Sequence, residues 1–194
     1  MARIEVKPYG SWKSPISSDL IASATIGLGQ VILDGEDVYW IEMRPQEAGR
    51  NAIVRHTPGG QTVNILPLPF TARTRVHEYG GGDFAVSGGE IYFSNFEDQR
   101  LYRLKPGTQP RPITPEGDIR YADGVIDSRR GRMVCVREDH SVAGRDTINS
   151  LVSLKLEGGV DDVLASGNDF YSSPRLSPDG SRVAWLTWNH PNMP

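Results

Sequence analysis

The sequence predicts an all-β protein, a partial β-propeller of four-stranded antiparallel blades, about three and a half of them. Three observations lead there. The 194 residues include 21 Gly and 14 Pro, so breakers fall too often for long helices and leave short strands joined by turns. Four runs rich in β-branched and aromatic residues, "VYWIE" (Val38 to Glu42), "IYFSN" (Ile91 to Asn95), "MVCVR" (Met133 to Arg137) and "VAWLT" (Val183 to Thr187), each follow a turn. The pattern recurs on the order of every 40 to 50 residues, which suits a propeller blade better than a helical solenoid repeat.

Residues 1–28 precede the repeats as a leading segment, and Trp12 in "YGSWKSP" is expected to pin it to a blade. The first unit, about 29–68, reads "GQVIL", the turn "LDGED", "VYWIE", then "NAIVRHTPGGQTVNILP". Gly, Asp and Asn tolerate the positive φ of tight hairpins, so the chain reverses and pairs with the strand it has just left. The tail of the unit gives an alternating strand, a Gly turn and a short outer strand, four in all. The second unit, about 82–114, repeats this with "GDFAV", "VSGGE", "IYFSN" and "QRLYRLKPGTQPRPITP". The third, about 120–166, does so with "ADGVI", "DSRRG", "MVCVR" and "NSLVSLKLEGGVDDVLA". From Tyr171, "YSSPRLS", "SPDGS" and "VAWLTW" give the inner half of a fourth. A blade buries its faces only against other blades, so the expectation is an amino-terminal piece of a longer protein, with self-association through exposed blade faces when alone. The recurring Tyr39, Trp40, Tyr92, Phe93, Trp185 and Trp188 are expected between blades, as core rather than as a peptide platform.

A net charge of −3 offers no basic footprint, so neither nucleic acid nor anionic lipid is an expected partner. No apolar run approaches the roughly 20 residues of a membrane span, and "MARIEVKPYGSW" lacks the order of a secretion signal, which predicts a cytoplasmic protein. Cys135 is the single cysteine, which excludes an internal disulfide and a multi-cysteine zinc site. Its place in "RMVCVRE" suits a small buried hydrophobe. His56, His140 and His190 lack metal-ligand spacing, and the carboxylates of "REDHSVAGRD" (Arg137 to Asp146) do not follow the EF-hand order. Loop or solvent roles are expected there, with no metal and no cofactor.

"YGSWKSPIS" (Tyr9 to Ser17), "TRVHEYGGGDFAV" (Thr74 to Val86), "IYFSNFEDQRLYRL" (Ile91 to Leu104) and "SPRLSPDGSRVAWLTWNHPNMP" (Ser173 to Pro194) resemble the front of the propeller of prolyl oligopeptidase-family serine peptidases, closest to the bacterial dipeptidyl aminopeptidase and acylaminoacyl-peptidase group. The resemblance implies a propeller of about seven or eight blades ahead of a carboxyl-terminal α/β-hydrolase domain that carries a Ser-Asp-His triad. It also implies a non-catalytic role for this chain, gating and helping to position peptide substrates for that domain. No serine here has the Gly-x-Ser-x-Gly setting of a nucleophile elbow, so no catalytic residue is assigned. A stand-alone protein–protein interaction module is the alternative.

The most unusual local chemistry is "RTRVHEYGGG", in which Arg73, Arg75, His77, Glu78 and Tyr79 precede three glycines. Strand alternation would put Arg73, Arg75, His77 and Tyr79 on one side and Thr74, Val76 and Glu78 on the other. One expectation is that these residues position a peptide terminus. The other is a connector whose Arg and Glu pair with each other or with neighbouring blades.

Overall fold

Turn residues set the strand limits: Gly35, Gly88, Gly131 and Gly180 all adopt positive φ (61, 61, 62 and 69°), which side chains with a Cβ resist. The structure, a computed structural model, describes residues 6–142, 144 and 146–192. The first five residues of the leading segment, Ala143 and Arg145 of the charged loop, and Met193 and Pro194 lie outside the described residues.

Three four-stranded antiparallel sheets and one hairpin follow one another along the chain. Sheet 1 is β1 (Gly27–Asp34), β2 (Asp37–Arg44), β3 (Arg50–His56) and β4 (Thr62–Asn64). Sheet 2 is β5 (Phe84–Ser87), β6 (Glu90–Ser94), β7 (Leu101–Leu104) and β8 (Arg111–Pro112). Sheet 3 is β9 (Ile119–Asp127), β10 (Arg132–Asp139), β11 (Ile148–Lys155) and β12 (Asp162–Ser166). The hairpin is β13 (Phe170–Leu176) with β14 (Val183–Trp188). First strands adjoin in series, β1 to β5 to β9 to β13, so the sheets stand side by side like the blades of a partial propeller. A short helix α1 (Ser18–Ala24) precedes them, capped where Leu20 N–H donates to Ser17 Oγ at 3.0 Å.

Alternation decides which side chain meets which neighbour. On β6, Ile91 and Phe93 join Tyr39, Ile41 and Ile53 of sheet 1, whereas Tyr92 joins Met133, Cys135 and Leu154 of sheet 3. On β10, Met133 and Cys135 face sheet 2, while Val134 and Val136 pack with Tyr171 of the hairpin. Both faces of the middle sheets are therefore buried, each large side chain contributing about 1.5 to 3 kcal/mol relative to exposure. Cys135 is such a residue, and burial pushes its thiol well above the usual range, which leaves it without thiolate character.

The outer face of sheet 1 is different: Leu28, Val31 and Leu33 stay 64 to 75% exposed. The expected aromatic core divides accordingly. Tyr39, Tyr92 and Phe93 are fully buried, and Trp40 is half-buried with its indole N–H on Glu42 (3.2 Å). Trp188 stacks on Phe170 (5.3 Å, 15°), but Trp185 lies exposed on β14 because the described chain places no sheet against that face. Trp12 is also exposed, with Lys7 over its ring at 5.7 Å. No described helix is long and apolar enough to cross a membrane.

A strap across the sheets as candidate functional site

The segment from Thr71 to Asp83, which contains "RTRVHEYGGG", links sheet 1 to sheet 2 but touches far more than those two. It passes the end at which β2, β6, β10 and β14 finish. Its backbone is bonded step by step: Ala72 N–H donates to Asn51 O on β3 (3.0 Å) and Arg73 N–H to Ser94 O on β6 (2.9 Å). Thr74 N–H then donates to Asp83 Oδ1 (2.7 Å) and Arg75 N–H to Gln99 Oε1 (2.7 Å). Val76 fills the core between sheet 3 and the hairpin. His77 N–H donates to Glu138 Oε1 of β10 (2.9 Å), and its ring Nε2 to Tyr171 O of β13 (3.0 Å). One stretch thus ties all three sheets and the hairpin together, a strap rather than a loop.

The expected alternation holds from Arg73 to Val76, with Arg73 and Arg75 exposed and Thr74 and Val76 buried, and breaks at His77. Residues 76–79 form a turn, and His77 and Glu78 both adopt positive φ (55 and 65°), so the side chains diverge instead of lining up on two faces. Arg73, Arg75, Glu78 and Tyr79 point to solvent, while the His77 side chain is 5% exposed. Glu78 pairs with Arg120 (2.9 Å), which also donates to Arg75 O (2.9 Å). The ring of Tyr79 lies 5.8 Å from that of His77. Arg73 and Arg75 both stand against the ring of Phe96.

Close approach explains the glycines. A Cβ on Gly82 would sit 3.0 Å from Asp123 Oδ1, and one on Gly81 would sit 3.1 Å from Ala122 Cβ. Asp123 in turn accepts Gly82 N–H (2.5 Å) on one oxygen and Ser173 N–H (2.9 Å) on the other. The carboxylate thereby binds the end of the strap to the hairpin.

Electrostatics concentrate at Glu138. Burial opposes its ionisation, but the His77 ring, His140 and the His77 N–H outweigh burial and hold the carboxyl at about 2. Its Oε2 lies 2.9 Å from His140 Nε2 and 3.5 Å from Arg120 Nη1. Burial works against protonation of His77, yet Glu138 and the Tyr171 carbonyl raise its pKa. Nε2 must carry a proton to donate to Tyr171 O, so Nδ1, 3.6 Å from Glu138 Oε1, faces a carboxylate comfortably only as a second N–H. The site therefore favours the protonated ring, held between sheet 3 and the hairpin, with Phe170 edge-on at 5.3 Å. Elsewhere on the strap, burial lifts Asp83 to about 6 against the opposing pull of Thr74 N–H and Arg73.

An open cleft of about 310 Å³ lies beside this cluster, lined among others by His77, Glu138, His140, Asn149, Asp169 and Phe170. Among the described residues no group of His, Cys, Asp and Glu is arranged to hold a metal ion. Sequence reasoning missed Glu138, Asp123, Gln99 and Phe96. Glu138 had a legible signal: it continues the series Val134, Val136 at the next alternate position, a carboxylate on a core-facing row. Asp123, φ 57°, sits inside a long strand and gives no local sign of its two distant partners.

No protein-family model matches the chain, and no curated protein matches it. Solved structures do. A puromycin-hydrolyzing peptidase of Mycobacterium tuberculosis is 38% identical with a TM-score of 0.86, covering 96% of this chain and 31% of that one. A puromycin hydrolase is 35% identical with a TM-score of 0.88, covering 98% of this chain and 32% of that one. TolB from Acinetobacter baumannii, at 16% identity and a TM-score of 0.51 over 77% of this chain, shares the fold alone. The chain spans about a third of the length of the two peptidases. With its serial four-stranded sheets and this identity along nearly its whole length, the chain matches the amino-terminal propeller portion of a peptidase of the prolyl oligopeptidase family.

Proposed function

We propose that this chain is the non-catalytic propeller portion of a serine peptidase, gating and helping to position peptide substrates for a carboxyl-terminal α/β-hydrolase domain. The observation that carries the reading is coverage: almost all of this chain aligns with about a third of two puromycin-hydrolysing enzymes, which leaves the chemistry to the other two thirds. Absence of a Gly-x-Ser-x-Gly segment supports the same division of labour. The exposed outer face of sheet 1 and the exposed side of β14 suit packing against further blades, and in the isolated chain they favour self-association.

The strap is the part of this chain best placed to couple gate and substrate. It holds the sheets together at one end while presenting Arg73, Arg75, Glu78 and Tyr79 outward. Puromycin and short peptides are the substrates to try on the whole peptidase. The isolated chain is expected to release no product from either. In the whole peptidase, Asp123→Ala, which loosens the sheet 3 to hairpin contact, is expected to raise cleavage of a polypeptide of about 30 residues severalfold relative to a dipeptide amide. An unchanged ratio with an intact fold contradicts gating by this portion.

A further inference from the structure

Arg73 and Arg75 differ from most arginines near them. Arg44, Arg50, Arg103 and Arg120 are each bound to carboxylates, whereas among the described residues neither Arg73 nor Arg75 makes a direct ion pair or a guanidinium hydrogen bond, and Arg73 feels Asp83 only through space. Instead their Cζ atoms stand 5.0 and 4.3 Å from the centre of one ring, Phe96. Like charges drawn to a shared ring repel each other, and an anion bound at either guanidinium relieves that repulsion.

The pair is also built on fixed backbone. Arg73 N–H is held by Ser94 O (2.9 Å) and Arg75 N–H by Gln99 Oε1 (2.7 Å). Gln99 is buried, adopts φ 56°, and donates from Nε2 to Phe96 O (2.9 Å), so one side chain locks the turn that carries the ring to the stretch that carries both arginines. Such pre-organisation lowers the ordering cost of gripping a ligand. Beside Arg73 an open cleft of about 280 Å³ is lined by Leu68, Pro69, Thr71 and Phe96 among others, so an apolar group fits next to the charge. With a net charge of −3 the chain as a whole disfavours a polyanion, and a single compact anion is the better match.

We propose that Arg73 and Arg75, braced by Phe96, form a receptor for the carboxylate of a short peptide whose neighbouring side chain is apolar. Guanidinium forks suit carboxylates through paired, charge-assisted hydrogen bonds. The inference rests on the reading of this face as one that meets peptide, but it concerns binding alone, so it stands or falls separately from gating.

The test is a titration of the 194-residue chain with alanyl-alanyl-leucine as free acid and as carboxyl-terminal amide, followed by NMR of the arginine side-chain N–H signals. The free acid is expected to bind at least about fivefold tighter, and the Arg73→Ala, Arg75→Ala double variant to lose that preference. Phe96→Leu keeps both charges and is expected to weaken binding about threefold by releasing the brace. An amidated peptide carrying a glutamate side chain separates the sources: binding equal to the free acid assigns the site to acidic side chains, and weaker binding assigns it to the α-carboxylate. Equal affinity for the acid and both amides, or unchanged binding by the double variant, overturns the proposal. No hydrolysis is read, so a peptidase that fails to gate leaves this outcome untouched.

Discussion

Replacing Glu138 by alanine is expected to cost about 3 kcal/mol of folding stability, because a buried charge cluster loses its centre and leaves other charges unpaired. His77 would lose the acceptor of its N–H and the counter-ion 3.6 Å from Nδ1, and His140 would lose its partner at 2.9 Å. The dependence on pH is distinctive. The Glu138 carboxyl is depressed to about 2 from 4.5, so its contribution is complete above 4.5 and disappears as pH falls through 2. His77 is raised from 6.5, so its contribution is complete below 6.5 and disappears as pH rises through the folded value. Both are complete together between pH 4.5 and 6.5, and there denaturant titrations of native and variant chains should differ most. A difference that does not vary between pH 5 and pH 9 would remove the imidazolium from the account.

The second large effect belongs to Asp123. Asp123→Ala strips acceptors from Gly82 N–H and Ser173 N–H and puts alanine at φ 57°, where Asp and Asn are better tolerated. Two unsatisfied donors and that backbone together are expected to cost about 2 to 3 kcal/mol. Asp123→Asn keeps one oxygen acceptor and the backbone preference, and should recover about half. Equal losses for the two variants would show that the side-chain bridges are not what matters there.

The sheets were legible because their signals are local. "LDGED", "VSGGE" and "SPDGS" carry turn residues beside runs that alternate with period two, and both faces of "IYFSN" and "MVCVR" are apolar because a neighbour covers each. Much of the site was not legible, since its geometry is fixed by partners 24 to 94 residues away in sequence, such as Gln99 for Arg75 and Tyr171 for His77. The unusual charge density of "RTRVHEYGGG" singled out the segment that forms the strap. It could not reveal that positive φ at His77 and Glu78 turns one residue into the core and its successor to solvent. The exposed Trp185 marks the opposite limit, an aromatic with strand spacing whose burial depends on a sheet outside this chain's own hairpin.

Amide hydrogen exchange of the native chain, read residue by residue along the Thr71 to Asp83 stretch, interrogates the strap without any mutation. The N–H groups of Arg73, Thr74, Arg75 and His77 all donate to partners in the sheets or the strap itself. They are therefore expected to exchange as slowly as those of Ile53 and Val134 in the buried strands. Exchange of the four at the rate of the exposed Lys105 to Gln109 turn, with the strands still protected, would mean that the segment is an ordinary loop and that nothing at this end binds the blades together.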